Sequence, residues 1–168
     1  MDTAWKKIIW NQLGASIDML ENAIKACPIK VWGDRPGFHE FWYIAYHTLF
    51  FLDYYLSEPG KDFAPPEPFT LGELDPAGVL PDRVYTKEEL LKYLEFGRRK
   101  ARRKLKVMTN QKLFRHCGFE RKDFTVAELM IYNTRHIQHH AAQLNLLLRQ
   151  KIDSAPGWVS KTKIKLSD

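Results

Sequence analysis

Two of the six histidines, His136 and His140, stand at i and i+4 in the segment Asn133-Thr-Arg-His-Ile-Gln-His-His-Ala-Ala-Gln-Leu144. On a helix that spacing stacks two imidazoles one turn apart on one face, where both can converge on a single ion. At ~100° per residue, Leu129, Met130, Leu144 and Leu147 define an inward stripe. His140 is expected near its middle and His136 toward one side. Asn133 and Gln143 are expected on the same inward face, while His139 turns toward the edge or solvent. Polar groups on a core-facing stripe cost free energy unless each is satisfied. A hydrogen-bonded core network is one reading of the cluster; a functional site is the favoured one. A catalytic metal commonly takes three protein ligands and keeps one position open, so a third ligand must come from another helix. His47 is the candidate, because it lies mid-helix in the most apolar stretch of the chain. Standing alone it would read as a satisfied core histidine. Tyr43 and Phe51, one turn either side of His47, are expected to line the pocket with Asn133 and Gln143; alternatively Gln143 orients a ligand imidazole. No residue presents itself as a general acid or base. His39 is expected at a bundle end. The adjacent pair His116-Cys117 has no second local cluster to complete a metal site.

Four long periodic segments must position these residues, and no alternating strand pattern is comparably long. The first helix is expected over Ala4–Ala26, with Ile9, Leu13, Ile17, Leu20 and Ile24 on one face and Pro28 beyond its end. The second is expected to begin near Pro36 and run to Leu56, apolar almost all round and therefore the most buried. The third opens on the capping-box pattern Thr86-Lys-Glu-Glu89 and places Leu90, Leu94, Gly97, Ala101, Leu105 and Met108 on one face. The fourth opens on a second capping box, Thr125-Val-Ala-Glu128, and continues to Lys151, with a short tail beyond it. Between Ser57 and Tyr85 lies a connection far longer than the ~2–8 residues usual between bundle helices. Its six prolines rule out one continuous helix, and Phe63, Phe69, Leu71, Leu74, Val79 and Leu80 suit a crossover packed along the bundle. Such a crossover lets the second and third helices run parallel.

The chain of 168 residues fits one domain, 1–168, and its 45% hydrophobic content is that of a globular protein rather than a disordered one. Two cysteines, Cys27 and Cys117, are too few for a disulfide scaffold and read as small buried residues. The N-terminal residues lack a signal-peptide layout, and no apolar run reaches the ~20 residues that cross a bilayer. A soluble cytoplasmic protein, with no membrane partner, is expected. No Glu-x-x-His pair, His-Glu-x-x-His, Gly-x-Ser-x-Gly, P-loop or Rossmann glycine pattern occurs.

The net charge of +6 permits an anionic partner without demanding one. Much of it sits in Arg98-Arg-Lys-Ala-Arg-Arg-Lys-Leu-Lys106 on the third helix. These cations read best as a solvated helix face near a C-terminus, because no stacking aromatics are interleaved with them and no nucleic-acid motif is present. That speaks against a nucleic-acid partner.

The stretch Trp42-Tyr-Ile-Ala-Tyr-His47-Thr-Leu49, followed far downstream by His136-Ile-Gln-His-His140-Ala-Ala-Gln-Leu144, resembles the DinB/YfiT-like superfamily of metalloenzymes over nearly the whole chain. The resemblance implies an all-α fold, a four-helix bundle with an up-down-down-up path and a long crossover between helices two and three. It also implies a divalent metal on three histidines, mapping onto His47, His136 and His140. Characterised relatives include transferases and isomerases that use low-molecular-weight thiols; several are homodimers, and many members have no established reaction. The expectation is thus a metal-dependent transferase, thiol-dependent by analogy, or a hydrolase acting on a small molecule. Zinc or nickel heads the compatible metals, with iron, copper and manganese behind them. The competing expectations are a non-enzymatic binding module with a structural metal and a basic helix for an anionic partner, and a metal-free member that keeps the histidines as a network.

Overall fold

The computed structural model describes residues 4–33, 40–59, 63–120 and 122–167, and among these it is all-helical. Six helices follow in order: α1 (Ala4–Ala26), α2 (Ile29–Trp32), α3 (Phe41–Leu56), α4 (Lys87–Val107), α5 (Asn110–Leu113) and α6 (Val126–Ile152). The four long ones are those the periodicity predicts. The expected start of the second helix near Pro36, and His39, lie outside the described residues. The short α2 and α5 escape a periodicity argument because one turn is too brief to show a stripe.

The long helices form a bundle in which α1 packs on α4 and α6, and α3 packs on the same two. Leu13, Ile17, Leu20 and Ile24 of α1 are fully buried, with Trp10 joining them. The expected inward row of α4, from Leu90 to Met108, is buried throughout. Both capping boxes form: Thr86 accepts from the Glu89 amide and Thr125 from the Glu128 amide, and each glutamate returns a bond to its cap. These satisfy amides that a helix N-terminus otherwise leaves open. Between α3 and α4, Leu52 lies against Gly97, where a Cβ would come within 2.8 Å of Leu52 Cδ2, and further along Lys104 bonds the carbonyls of Leu56 and Ser57. Between α3 and α6 the pairing runs the other way, His47 meeting His140 and Tyr55 meeting Tyr132.

The basic stretch of α4 departs from expectation. Arg98 is buried and forms ion pairs with Glu95, Asp18 and Glu21. Lys100 pairs with fully buried Asp53, which also accepts from the Tyr93 hydroxyl. Only part of the run, including Arg99, Arg103 and Lys106, is a solvated face. The reason is register: Arg98 stands in the row Leu94-Arg98-Ala101-Leu105, where i, i+4, i+7 spacing faces the core. Burial alone would push the Lys104 ammonium down, and with Lys100 and Arg115 nearby its pKa falls to about 8.

The crossover is packed in part. Phe69 stacks on Tyr93 at 4.4 Å and meets Tyr85 and Tyr46, while Phe63 and Leu80 are partly buried. Leu71, Leu74 and Val79 are exposed, contrary to expectation. The Tyr46 hydroxyl donates to the Thr70 carbonyl at 3.1 Å, pinning the loop to α3 just before a single 3-10 turn, Gly72–Leu74.

Candidate metal centre

The ligand atoms of His47 on α3 and of His136 and His140 on α6 all lie within 4.8 Å of one another. Their rings meet at centroid distances of 5.4 Å (His47–His136), 4.9 Å (His47–His140) and 4.6 Å (His136–His140). Among the described residues this is the one group of three or more histidines, cysteines or carboxylates so disposed. The trio is half-buried rather than central. The core centre of α6 is the row Met130-Ile137-Ala141-Leu144-Leu148. At ~100° per residue His140 lies about 60° and His136 about 100° to one side of Ile137. Leu129 and Leu147 lie on that same side, so a stripe centred on them runs too close to the histidines.

Hydrogen bonds select which nitrogen each ring offers. His47 Nδ1 lies 2.7 Å from Glu73 Oε2, and the Glu73 side chain is only 4% exposed. A buried carboxylate accepts, so Nδ1 carries a proton and Nε2 is the nitrogen left to face the other two rings. His140 Nδ1 lies 2.7 Å from Gln143 Oε1, a carbonyl acceptor, which again frees Nε2. His136 Nε2 faces His140 Nε2 at 3.2 Å, while His136 Nδ1 is buried without a hydrogen-bond partner. Two nitrogens held at ~2.0–2.1 Å on one tetrahedral ion lie about 3.3 Å apart. The 3.2 Å between the two Nε2 atoms is close to that separation, so His136 and His140 can share a cation. Three histidines that could hold a metal ion are therefore in place.

Burial pushes the His136 pKa down to about 3, and the facing His140 and His47 push the same way. His140 falls to about 4, again chiefly by burial, against the Gln143 bond that favours its charged form. Both rings are neutral near pH 7, which is the ligating form.

Phe51 walls the site, its ring 4.8 Å from His47 and 5.7 Å from His136. Tyr43 stands 6.3 Å from His47, and its phenol pKa is raised by burial first and by the Glu73 carboxylate second. Asn133 does not join them as expected. It is buried, and its amide donates to the Leu52 carbonyl at 3.2 Å, tying α6 to α3. Gln143 is exposed and acts on His140 from outside, which matches the orienting role rather than the pocket-lining one. His139 is exposed, its ring 5.1 Å from His140. His116 is exposed in its loop, where its Nδ1 accepts from the Gly118 amide, and both cysteines are buried and outside any disulfide.

Two participants escaped the sequence argument. Tyr55, 6.2 Å from His136, continues the row Tyr43-His47-Phe51 by one more turn, a signal that was there to use. Glu73 gives no such signal, because 26 residues and a proline-rich loop separate it from His47. No family model, curated protein or solved structure matches the chain.

Proposed function

We propose that this protein is a metal-dependent enzyme of the DinB/YfiT-like kind, a thiol-dependent transferase or, as the nearest alternative, a hydrolase of a small molecule. The observation that carries the reading is the trio itself: three imidazoles, two with Nδ1 engaged by Glu73 and Gln143, converging on one another. A divalent cation held there, zinc or nickel first among candidates, would supply Lewis acidity toward water, a thiol or a carbonyl. His47, His136 and His140 would hold it. Glu73 would orient His47 through the Nδ1 bond, as carboxylates behind ligand histidines do. Gln143 fixes the tautomer of His140. Phe51, Tyr43 and Tyr55 limit water around the trio on the α3 side.

The family reading is supported by chain direction. Contacts between α3 and α4 rise together in sequence, Leu52 with Gly97 and Leu56 with Lys104, as parallel helices require. Those between α1 and α4 run oppositely, Asp18 with Arg98 and Lys6 with Lys106, as do those between α3 and α6. These pairings support an up-down-down-up path. The internal pairing of Arg98 and Lys100 removes much of the case for a basic-helix partner surface. A cytoplasmic homodimer acting on a low-molecular-weight thiol completes the proposal.

Two measurements separate its parts. Elemental analysis of untagged protein should find close to one divalent metal per chain, lost in His47→Ala and His136→Ala. Cobalt-substituted protein titrated with low-molecular-weight thiols should develop a thiolate charge-transfer band. Stoichiometric metal without any thiol-induced band would remove thiol transfer and leave the hydrolase reading.

A further inference from the structure

A second site lies at the far side of α1, away from the histidines. After α6 the chain turns back and runs along α1 as an irregular strap. The Val159 amide reaches Met19 Sδ, Gln12 donates to the Ser160 carbonyl, the Thr162 amide donates to Asn11, and Trp10 Nε1 donates to the Ile164 carbonyl at 2.7 Å. Lys106 Nζ then bonds the Ser167 carbonyl, fastening the strap to the end of α4. Gly14 permits this close approach, since a Cβ there would come within 2.6 Å of Thr162 Cγ2.

Burial alternates along this strap. Thr162 is buried and Ile164 and Leu166 pack on the core, so Lys161, Lys163 and Lys165 turn outward. Together with Lys6 and Lys7 of α1 and Lys106 of α4 they line a groove of about 850 Å³. None of the described lining residues is acidic. Behind its wall, Arg102 sits 5.9 Å from the Trp10 ring, with Nε and Nη2 buried and without hydrogen-bond partners. Lysines from three separate segments thus line one concavity. A field of one sign focused in a concavity favours a polyanionic ligand.

We propose that this groove binds a small ligand carrying a chain of phosphate groups, of the inorganic polyphosphate or nucleoside triphosphate class. Lysine ammoniums are point-charge phosphate binders, and the volume lies within the range of small-molecule sites. A nucleic-acid strand suits it less well. Strand binders offer exposed rings for base stacking, whereas the lining indole, Trp10, is 1% exposed.

Isothermal titration calorimetry of chelator-treated protein with sodium triphosphate, and with inorganic phosphate for comparison, tests the proposal. Chelation keeps a metal at the histidines from contributing, and His47→Ala should bind like the parent. Triphosphate should bind one to one, at least about tenfold more tightly than phosphate. Affinity should fall at least about tenfold both in Lys161→Gln/Lys163→Gln/Lys165→Gln and in Lys6→Gln/Lys7→Gln, with thermal unfolding unchanged. The second variant leaves the strap sequence intact, so strap detachment cannot account for both losses. Absence of triphosphate binding, or parental affinity in both variants, would overturn the proposal. So would tighter binding of duplex RNA or phosphatidylserine vesicles with the same lysine dependence, which would make the groove part of a macromolecular surface.

Discussion

Replacing Glu73 is the sharpest probe of how the crossover serves the histidines. Glu73→Ala removes the carboxylate 2.7 Å from His47 Nδ1 and leaves that N–H without its acceptor, while a side chain only 4% exposed vanishes from the 3-10 turn. A charge-assisted hydrogen bond in such a setting contributes about 1.5–3 kcal/mol. Loss of a carboxylate behind a metal-ligating histidine typically costs about 10–100-fold in metal affinity, which at 1.36 kcal/mol per decade is about 1.4–2.7 kcal/mol. The two routes agree, so Glu73→Ala should weaken zinc binding by roughly one to two orders of magnitude. Glu73→Gln keeps an acceptor but loses the charge, and should fall between parent and alanine variant. Competition titration against a chromophoric chelator gives the affinities; circular dichroism checks that helix content is retained. If Glu73→Ala binds zinc within about twofold of the parent while His47→Ala binds none, Glu73 does not orient His47 and the reasoning fails.

His140→Ala should abolish stoichiometric metal binding while His139→Ala leaves it nearly unchanged, because the helix turns only one of the adjacent pair toward His47; equal losses in dialysis measurements would place the helix face wrongly. Metal-free protein should stay helical, and saturating zinc should raise its melting temperature in calorimetry, as any native-state ligand does; an unmoved Tm in the presence of zinc would argue for a hydrogen-bonded network instead. Stability of the metal-free protein should also depend on pH. His136 and His140 have folded pKa values of about 3 and about 4 against an unfolded 6.5, so between those limits the unfolded chain binds more protons. Stability is accordingly full above about pH 6.5 and drains away as pH falls toward about 3, on the order of several kcal/mol in urea titrations; a His136→Gln/His140→Gln variant with the parent's pH slope would refute the assignment. Arg98→Ala strands Asp18 and Glu21 beside a buried gap and should cost about 3–5 kcal/mol, whereas exposed Arg99→Ala should cost under about 1 kcal/mol in the same denaturant assay.

Much of the architecture was legible because it rests on local signals. The stripe from Leu13 to Ile24, the row from Leu90 to Met108 and the two threonine capping boxes are written at helical spacing within single segments. His136 and His140 shared a face for the same reason, and His47 was singled out by its apolar surroundings. What the segments could not contain was decided by packing between them. Asn133 went to the Leu52 carbonyl rather than the pocket, and Gln143 to the outside of His140, because small rotations of α6 decide which polar group meets which neighbour. Arg98 became an interior charge, and Lys100 a half-buried one, once Asp18, Glu21 and Asp53 were brought opposite them from other helices. Glu73 reached His47 only because aromatic contacts at Phe69 and the Tyr46 bond to Thr70 folded the crossover onto α3. Helix periodicity is a one-dimensional code and reads along the chain. The partner of a buried charge or a ligand imidazole depends on distances across the chain, and those exist only after the helices have packed.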